Sequence, residues 1–295
     1  MKPSVGNLIS SAVARLPNSD SARLDAELLL AKALGKNRTW LFTWPEYQPS
    51  AEQITEFESL LAERNEGKPI AYILRRREFW SLELECSEDT LIPRPETELL
   101  VEIALSLQLP GDAKILDLGT GTGAIALALK SERPEWQITA VDLMPGAIEL
   151  AKRNAINLDI SGIQWQQGNW FEPLPESATF DLIVSNPPYV EEGSPYLKLG
   201  DVRYEPQSAL IAGKDGMGDI RAIAAQAQPY LSANGYVLFE HGHEQSDLVR
   251  KVFLQNGYQF SEGFKDLNSL HRATVAQNQK ISPSFRPPLA NSGPK

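Results

Sequence analysis

The chain has 295 residues, 42% hydrophobic and 22% charged, which is ordinary globular composition and enough length for one large domain or two smaller ones. A formal net charge of -10 argues against gripping nucleic acid through its phosphates. The single cysteine, Cys86, excludes an internal disulfide and a multi-cysteine zinc site, and the three histidines give no metal set, so no metal is expected. His241 and His243 read as an exposed pair at a strand end. No apolar signal core opens the chain and no run approaches transmembrane length, so a cytoplasmic protein is expected, with no membrane contact.

Residues 1–72 read as a separate helical domain. Asn18-Ser19-Asp20 offers a cap, and Leu24, Leu28 and Ala31 then recur at helical spacing up to Gly35. A second helix starts at Ser50 with Gln53 completing a capping box, and Ile54, Phe57 and Leu61 form its apolar stripe. Trp40, Phe42 and Trp44 are expected to fill the small core between these helices. Residues 73–97 form a connector: Arg75-Arg76-Arg77 reads as a solvated turn, and Phe79 to Leu84 alternates like a strand. Pro93-Arg94-Pro95-Glu96-Thr97-Glu98 then makes a rigid entry to a helix over Leu99–Leu107.

From Lys114 the period changes to strand, helix, strand, helix, which predicts an α/β domain over 98–277. Strands are expected at Ile115–Leu118, Ile138–Asp142, Ile163–Gly168, Phe180–Val184 and Tyr236–Glu240, with helices from Ala124, Pro145, Ile220 and Leu248. Two last strands near Tyr258–Phe264 and His271–Ala276 suit a hairpin. The tail 278–295 is polar and proline-rich, and disorder is expected there.

Two stretches carry chemistry. Asp117-Leu118-Gly119-Thr120-Gly121-Thr122-Gly123 joins a strand to a helix, and its glycines permit a tight turn with the backbone against a ligand. Asp142 closes the next strand, where a carboxylate accepts from both ribose hydroxyls. The dinucleotide pattern also fits Gly119, Gly121 and Ala124. S-adenosylmethionine is favoured because Asp117 could accept from a cationic amino group, because Gly123 adds a third close glycine, and because of the second stretch. That stretch is Asn186-Pro187-Pro188-Tyr189, which stops the fourth strand in a stiff loop. A long loop of about 25 residues follows it, unusual inside a compact domain unless it is functional.

Asp117–Gly123 together with Asn186–Tyr189 resembles the class I methyltransferases that modify planar nitrogens. Adding Pro93–Glu98 and Asp201-Val202-Arg203-Tyr204-Glu205-Pro206, the chain resembles the peptide chain release factor N5-glutamine methyltransferases, the PrmC/HemK family. The resemblance implies a Rossmann-like, seven-stranded, mostly parallel sheet with a C-terminal antiparallel hairpin and a small N-terminal helical domain. It implies methylation of the glutamine in the Gly-Gly-Gln motif of class 1 release factors, with S-adenosyl-L-homocysteine as co-product. By the same resemblance Gly119, Thr120, Gly121, Thr122, Gly123, Asp142, Trp170 and Asn186 bind the donor, and Asn186, Pro187, Pro188 and Tyr189 hold the glutamine. Arg75 departs from the family pattern, which has glycine there, and so does Asn268–Arg272, where an arginine-rich hairpin is usual.

An amide nitrogen is a poor nucleophile and needs acceptors where positive charge develops on it. The Asn186 side-chain oxygen and the Pro187 carbonyl are the expected acceptors, with the Tyr189 ring as the wall over the flat amide. The rivals are the same chemistry on a ribosomal protein, methylation of adenine or guanine in nucleic acid, and donor binding without catalysis. The acidic charge speaks against stable nucleic acid binding, and a monomer is expected.

Overall fold

A computed structural model describes residues 2–277; the expectation for the tail 278–295 lies outside the described residues. The chain divides into two units, one running from the N-terminus to Arg76 and including Lys198–Tyr204, the other comprising Arg77–Leu197 and the chain from Glu205 onward.

The first unit holds α1 (Val5–Ala14), α2 (Ala22–Leu34), α3 (Arg38–Thr43), α4 (Ala51–Asn65) and α5 (Ile70–Leu74). The capping box forms at α4: Ser50 accepts from the Gln53 N–H, and the Gln53 side chain accepts from the Ser50 N–H. The stripe predicted for α2 is on the wrong side. Leu24 is 39% exposed, while Ala26, Leu29, Leu30 and Leu34 are buried, because α2 lies among α1, α3, α4 and α5. Asp25 and Glu27 are buried there too, and cations offset that cost: Arg64 reaches Asp25 at 2.7 Å and Arg38 reaches Glu27 at 2.7 Å. The expected aromatic core is also corrected. Leu41 is the buried side chain of α3, while Phe42 and Trp44 are each 56% exposed. A short helix has room for one inward position per turn, and Leu41 takes it.

Arg75 ends α5 in the left-handed conformation, with φ 59°. A side chain is strained there, which is the physical reason for glycine at this place in the family pattern. Arg75→Gly is therefore expected to raise stability by up to about 1 kcal/mol, read as a higher midpoint in urea unfolding. A lower midpoint would mean that the arginine side chain contributes more than its backbone costs.

A hairpin follows, β1 (Arg76–Phe79) and β2 (Leu82–Glu85). The single strand expected over 79–84 is broken at Trp80-Ser81, both with positive φ, as a two-residue hairpin turn requires. The second unit then runs α6 (Glu98–Ser106), β3 (Lys114–Leu118), α7 (Ala124–Glu132), β4 (Gln137–Asp142), α8 (Pro145–Asn157), β5 (Ile163–Gln167), β6 (Phe180–Ser185), α9 (Gly218–Ala227), β7 (Leu231–Glu240), α10 (Ser246–Gln255), β8 (Phe260–Lys265) and β9 (His271–Gln277). The seven strands from β3 to β9 form one sheet in the order β5-β4-β3-β6-β7-β9-β8, parallel except where β9 pairs with β7 and β8.

Alternate strand residues serve opposite faces. Ile115, Leu182 and Leu238 join Ile103 and Leu127 on one side, and Leu116, Ile183 and Phe239 join Ile220 and Phe253 on the other. Strands buried on both faces read as continuous apolar runs, which is why they are visible in the sequence. The order reverses between β3 and β6, and the hydroxyl of fully buried Ser185 donates to the Leu118 carbonyl at 2.7 Å across that point. Ligands of open α/β sheets bind outside the carboxyl ends of the strands at such a reversal.

Candidate active site

Both chemical stretches leave the sheet at this reversal. The glycine loop follows Leu118 of β3, and Asn186 follows Ser185 of β6, which is the register partner of Leu118. A cleft of about 1120 Å³, its mouth included, opens above them. Its walls include Gly119, Thr120, Gly121 and Thr122, Asp142 with Leu143 and Met144, Trp170, and Asn186 with Pro188.

The loop is built around two carboxylates. Asp142 accepts from the Gly121 N–H at 2.8 Å and the Met144 N–H at 2.9 Å, so it fixes the loop while facing the cleft. Burial raises its pKa and these backbone bonds oppose the rise. Asp117 is fully buried and is not on the cleft wall. The Thr120 hydroxyl donates to it at 2.6 Å, and burial pushes its carboxyl up to about 7. This placement gives Asp117 the work of fastening the loop, and direct contact with a ligand's ammonium group is not what it provides.

Gly119 and Gly121 adopt positive φ of 73° and 55°, which bares their backbone to the cleft. Gly123 is different. It is absent from the cleft wall, and a Cβ on it would lie 3.1 Å from Ala151 and Leu127, so its need is close helix packing. Trp170 packs its ring edge over Gly119, 3.5 Å from where a Cβ would stand. Leu143 and Met144 are exposed apolar side chains at the lip. Acceptor, bare backbone and apolar wall fit a ligand with a diol and a flat ring.

On the other wall the Asn186 amide donates from Nδ2 to Thr97 Oγ1 at 3.1 Å. Pro187 is buried behind it and Pro188 lines the cleft. Tyr189 packs against the core on the α9 side of the sheet; its hydroxyl donates to Glu240 Oε1 at 3.1 Å, and its carbonyl accepts from Gln245 Nε2 at 3.0 Å. The cleft wall thus takes Asn186 and Pro188 directly, with Pro187 and Tyr189 bracing them. After Tyr189 the chain loops out and returns, Val190 bridging Ile211. Glu205, in the returning half, is buried and holds Arg94 on the cleft wall at 2.5 Å and the Ile92 N–H at 3.1 Å. The Lys198–Tyr204 stretch belongs to the first unit, where Asp201 pairs with Arg64 at 3.1 Å and Tyr204 donates to the Glu66 carbonyl at 2.7 Å.

The histidine pair is corrected as well. His241 is fully buried, bonded to Thr274 Oγ1 at 2.8 Å, and its pKa is lowered to about 4 by burial. Among the described residues no cluster of His, Cys, Asp and Glu could hold a metal, and no helix is long and apolar enough to cross a membrane. Sequence reading missed Thr97 and Glu240 as site residues, although each carries the signal of a polar residue at the mouth end of an element otherwise apolar.

Comparison with known proteins agrees with this geometry. Residues 7–74 match the family described as the PrmC N-terminal domain, and residues 95–201 match the methyltransferase small domain. The release factor glutamine methyltransferase of Shewanella oneidensis is 51% identical over 260 residues, covering 88% of this chain and 91% of that protein. That of Escherichia coli (strain K12) is 46% identical over 269 residues, covering 91% and 97%. Among solved structures, a methyltransferase from Pyrococcus furiosus is 20% identical with a TM-score of 0.52, covering 75% of this chain and 98% of that chain, a likeness of fold. Identity of this degree over most of both chains shows that the chain belongs to the release factor glutamine methyltransferase family.

Proposed function

We propose that the protein transfers a methyl group from S-adenosylmethionine to N5 of the glutamine in the Gly-Gly-Gln motif of class 1 release factors. The observation that carries this reading is one cleft walled by both the glycine loop with Asp142 and the Asn186–Tyr189 stretch. In this reading Asp142 accepts from the ribose hydroxyls, the bared backbone of Gly119 and Gly121 lies along the donor, and Trp170 with Leu143 and Met144 encloses the adenine. When bound there, the donor supplies the electrophilic methyl group.

The chain's own residues do the rest. Asn186 Oδ1 and the Pro187 carbonyl accept the two N–H bonds of the substrate amide, which favours pyramidal nitrogen and frees its lone pair. The Tyr189 ring walls the flat amide and excludes water. Positioning two reactants supplies up to roughly 7–11 kcal/mol of the barrier reduction, so no strong base is required before attack. Release factors work on ribosomes, which puts the reaction in the cytoplasm.

A transfer assay with isotope-labelled donor tests the reading against a class 1 release factor, ribosomal proteins and nucleic acid. Label in the release factor, mapped to the Gly-Gly-Gln peptide, is the expected result; label only in ribosomal protein or nucleic acid would overturn it. Donor binding is tested separately. Asp142→Ala is expected to weaken the donor by about tenfold or more in calorimetry, the usual cost of deleting a charged hydrogen-bond acceptor. Unchanged affinity would mean that the ribose assignment is wrong.

A further inference from the structure

We propose that Thr97 and Glu240 are positioning residues that decide which way round the Asn186 amide sits, holding its oxygen toward the substrate nitrogen. This rests on the reading of Asn186 as an acceptor.

The two ends of an asparagine amide have almost the same shape and opposite hydrogen-bonding character. A half turn about the last side-chain bond would present NH2 to an incoming NH2, two donors facing each other. Something must therefore set the direction, and shape alone does not. The structure offers a chain of polar groups whose bonds have only one workable sense. Asn186 Nδ2 donates to Thr97 Oγ1 at 3.1 Å. A threonine hydroxyl has a single proton, so one that accepts from Asn186 must send that proton elsewhere. Glu240 is where it goes: the Thr97 and Tyr189 hydroxyls both stabilise its charged form.

Glu240 is placed to enforce this. It ends β7, is 2% exposed, and accepts from Tyr189 at 3.1 Å. An ionised carboxylate only accepts. While Glu240 is charged, Thr97 must point its proton away from Asn186, and Asn186 must offer N–H to Thr97 and oxygen to the cleft. Glu240 takes no part in the chemistry and is not on the cleft wall. It sets a direction from one residue further back.

The device has a built-in weakness. A protonated Glu240 becomes a donor. Thr97 can then turn its own proton on Asn186, and the amide is free to reverse. The groups facing Glu240 are the Thr97 and Tyr189 hydroxyls and the Arg272 guanidinium, which favour its charge, and Glu96, which opposes it. Burial outweighs them and pushes its carboxyl up to about 7. Asp117 titrates in the same range but sits under the donor loop, so saturating donor separates its effect from that of Glu240.

The test is the rate of methyl transfer to a release factor at saturating donor and saturating release factor, followed against pH in Thr97→Val, Thr97→Ser, Glu240→Gln and the unaltered protein. Thr97→Val is expected to lose about tenfold or more in kcat, the lower range for a group acting through the acceptor, with donor affinity by calorimetry within about twofold. Thr97→Ser keeps the hydroxyl and is expected to retain most of kcat. The unaltered protein is expected to lose activity as pH falls through about 7, and Glu240→Gln to be slower and flat over that limb. Glu240→Gln and Thr97→Ser carry the test if Thr97→Val fails to fold, which loss of donor binding would reveal. Full kcat in folded Thr97→Val, or an unchanged acid limb in Glu240→Gln, would overturn the proposal. Asn186→Ala separates the two levels: if it is slow while Thr97→Val is not, only the orienting role fails; if it is as fast as the parent, the acceptor reading fails and this proposal with it.

Discussion

Asn186→Ala is expected to turn over at least about a hundredfold more slowly than the parent protein when both substrates are saturating. Loss of one hydrogen bond that strengthens as charge develops typically costs about 3–4 kcal/mol of transition-state stabilisation. Here the lost atom is an oxygen held at the carboxyl end of β6, beside the strand that feeds the glycine loop. The backbone under it is rigid: Ser185 is clamped to Leu118 and Pro187 is buried. A preorganised acceptor needs no rearrangement at the moment of reaction, and alanine cannot lean in to replace it. Stability should fall by no more than about 1.5 kcal/mol, the net worth of the bond to Thr97. Single-turnover kinetics with melting curves check both halves. Parent-like turnover would remove Asn186 from the chemistry.

Gly216→Ala is the second large effect, and it acts from outside the cleft wall. Gly216 has φ 66°, and a Cβ there would run into the Tyr189 carbonyl oxygen and lie 2.9 Å from Gln245 Nε2. Gln245 donates to both the Tyr189 and Gly216 carbonyls, at 3.0 and 3.3 Å, so the three form one clamp behind the Asn186–Tyr189 stretch. The added methyl must push a backbone carbonyl and not a flexible side-chain end. Left-handed strain adds about 1–2 kcal/mol. A displacement near 1 Å in a positioned site costs about a hundredfold in rate, and that is the loss expected in kcat. Because the glycine loop and Asp142 are on other strands, donor affinity by calorimetry should change by less than about threefold. A variant with normal turnover would show that the Tyr189 backbone has slack that the clamp does not suggest.

Much of this was legible before any coordinates. The parallel strands are buried on both faces and so read as unbroken apolar runs, each ending in a glycine, an acid or a proline that marks the mouth of the cleft. The edge strand β5, partly exposed along its length, is correspondingly the weakest in the sequence. What stayed hidden depends on distant partners. Nothing local says that α2 would be surrounded, with its carboxylates inside and Leu24 outside. Thr97 meets Asn186 from 89 positions away and Glu240 meets Tyr189 from 51. Asp117 looked like a ligand because its spacing from the glycines suits one; only burial reveals that it works on the loop from beneath.

The first unit is not one continuous stretch of chain, since Lys198–Tyr204 belongs to it. Its helical bundle therefore cannot be treated as a detachable module. A gene cut after Arg76 would take away the helices and leave behind the residues that satisfy Arg64 and the Glu66 carbonyl. Recombination that exchanged the bundle between relatives would succeed only if that later heptapeptide travelled with it or already matched. The two stretches are thus bound to vary together, an inheritance constraint written into the topology.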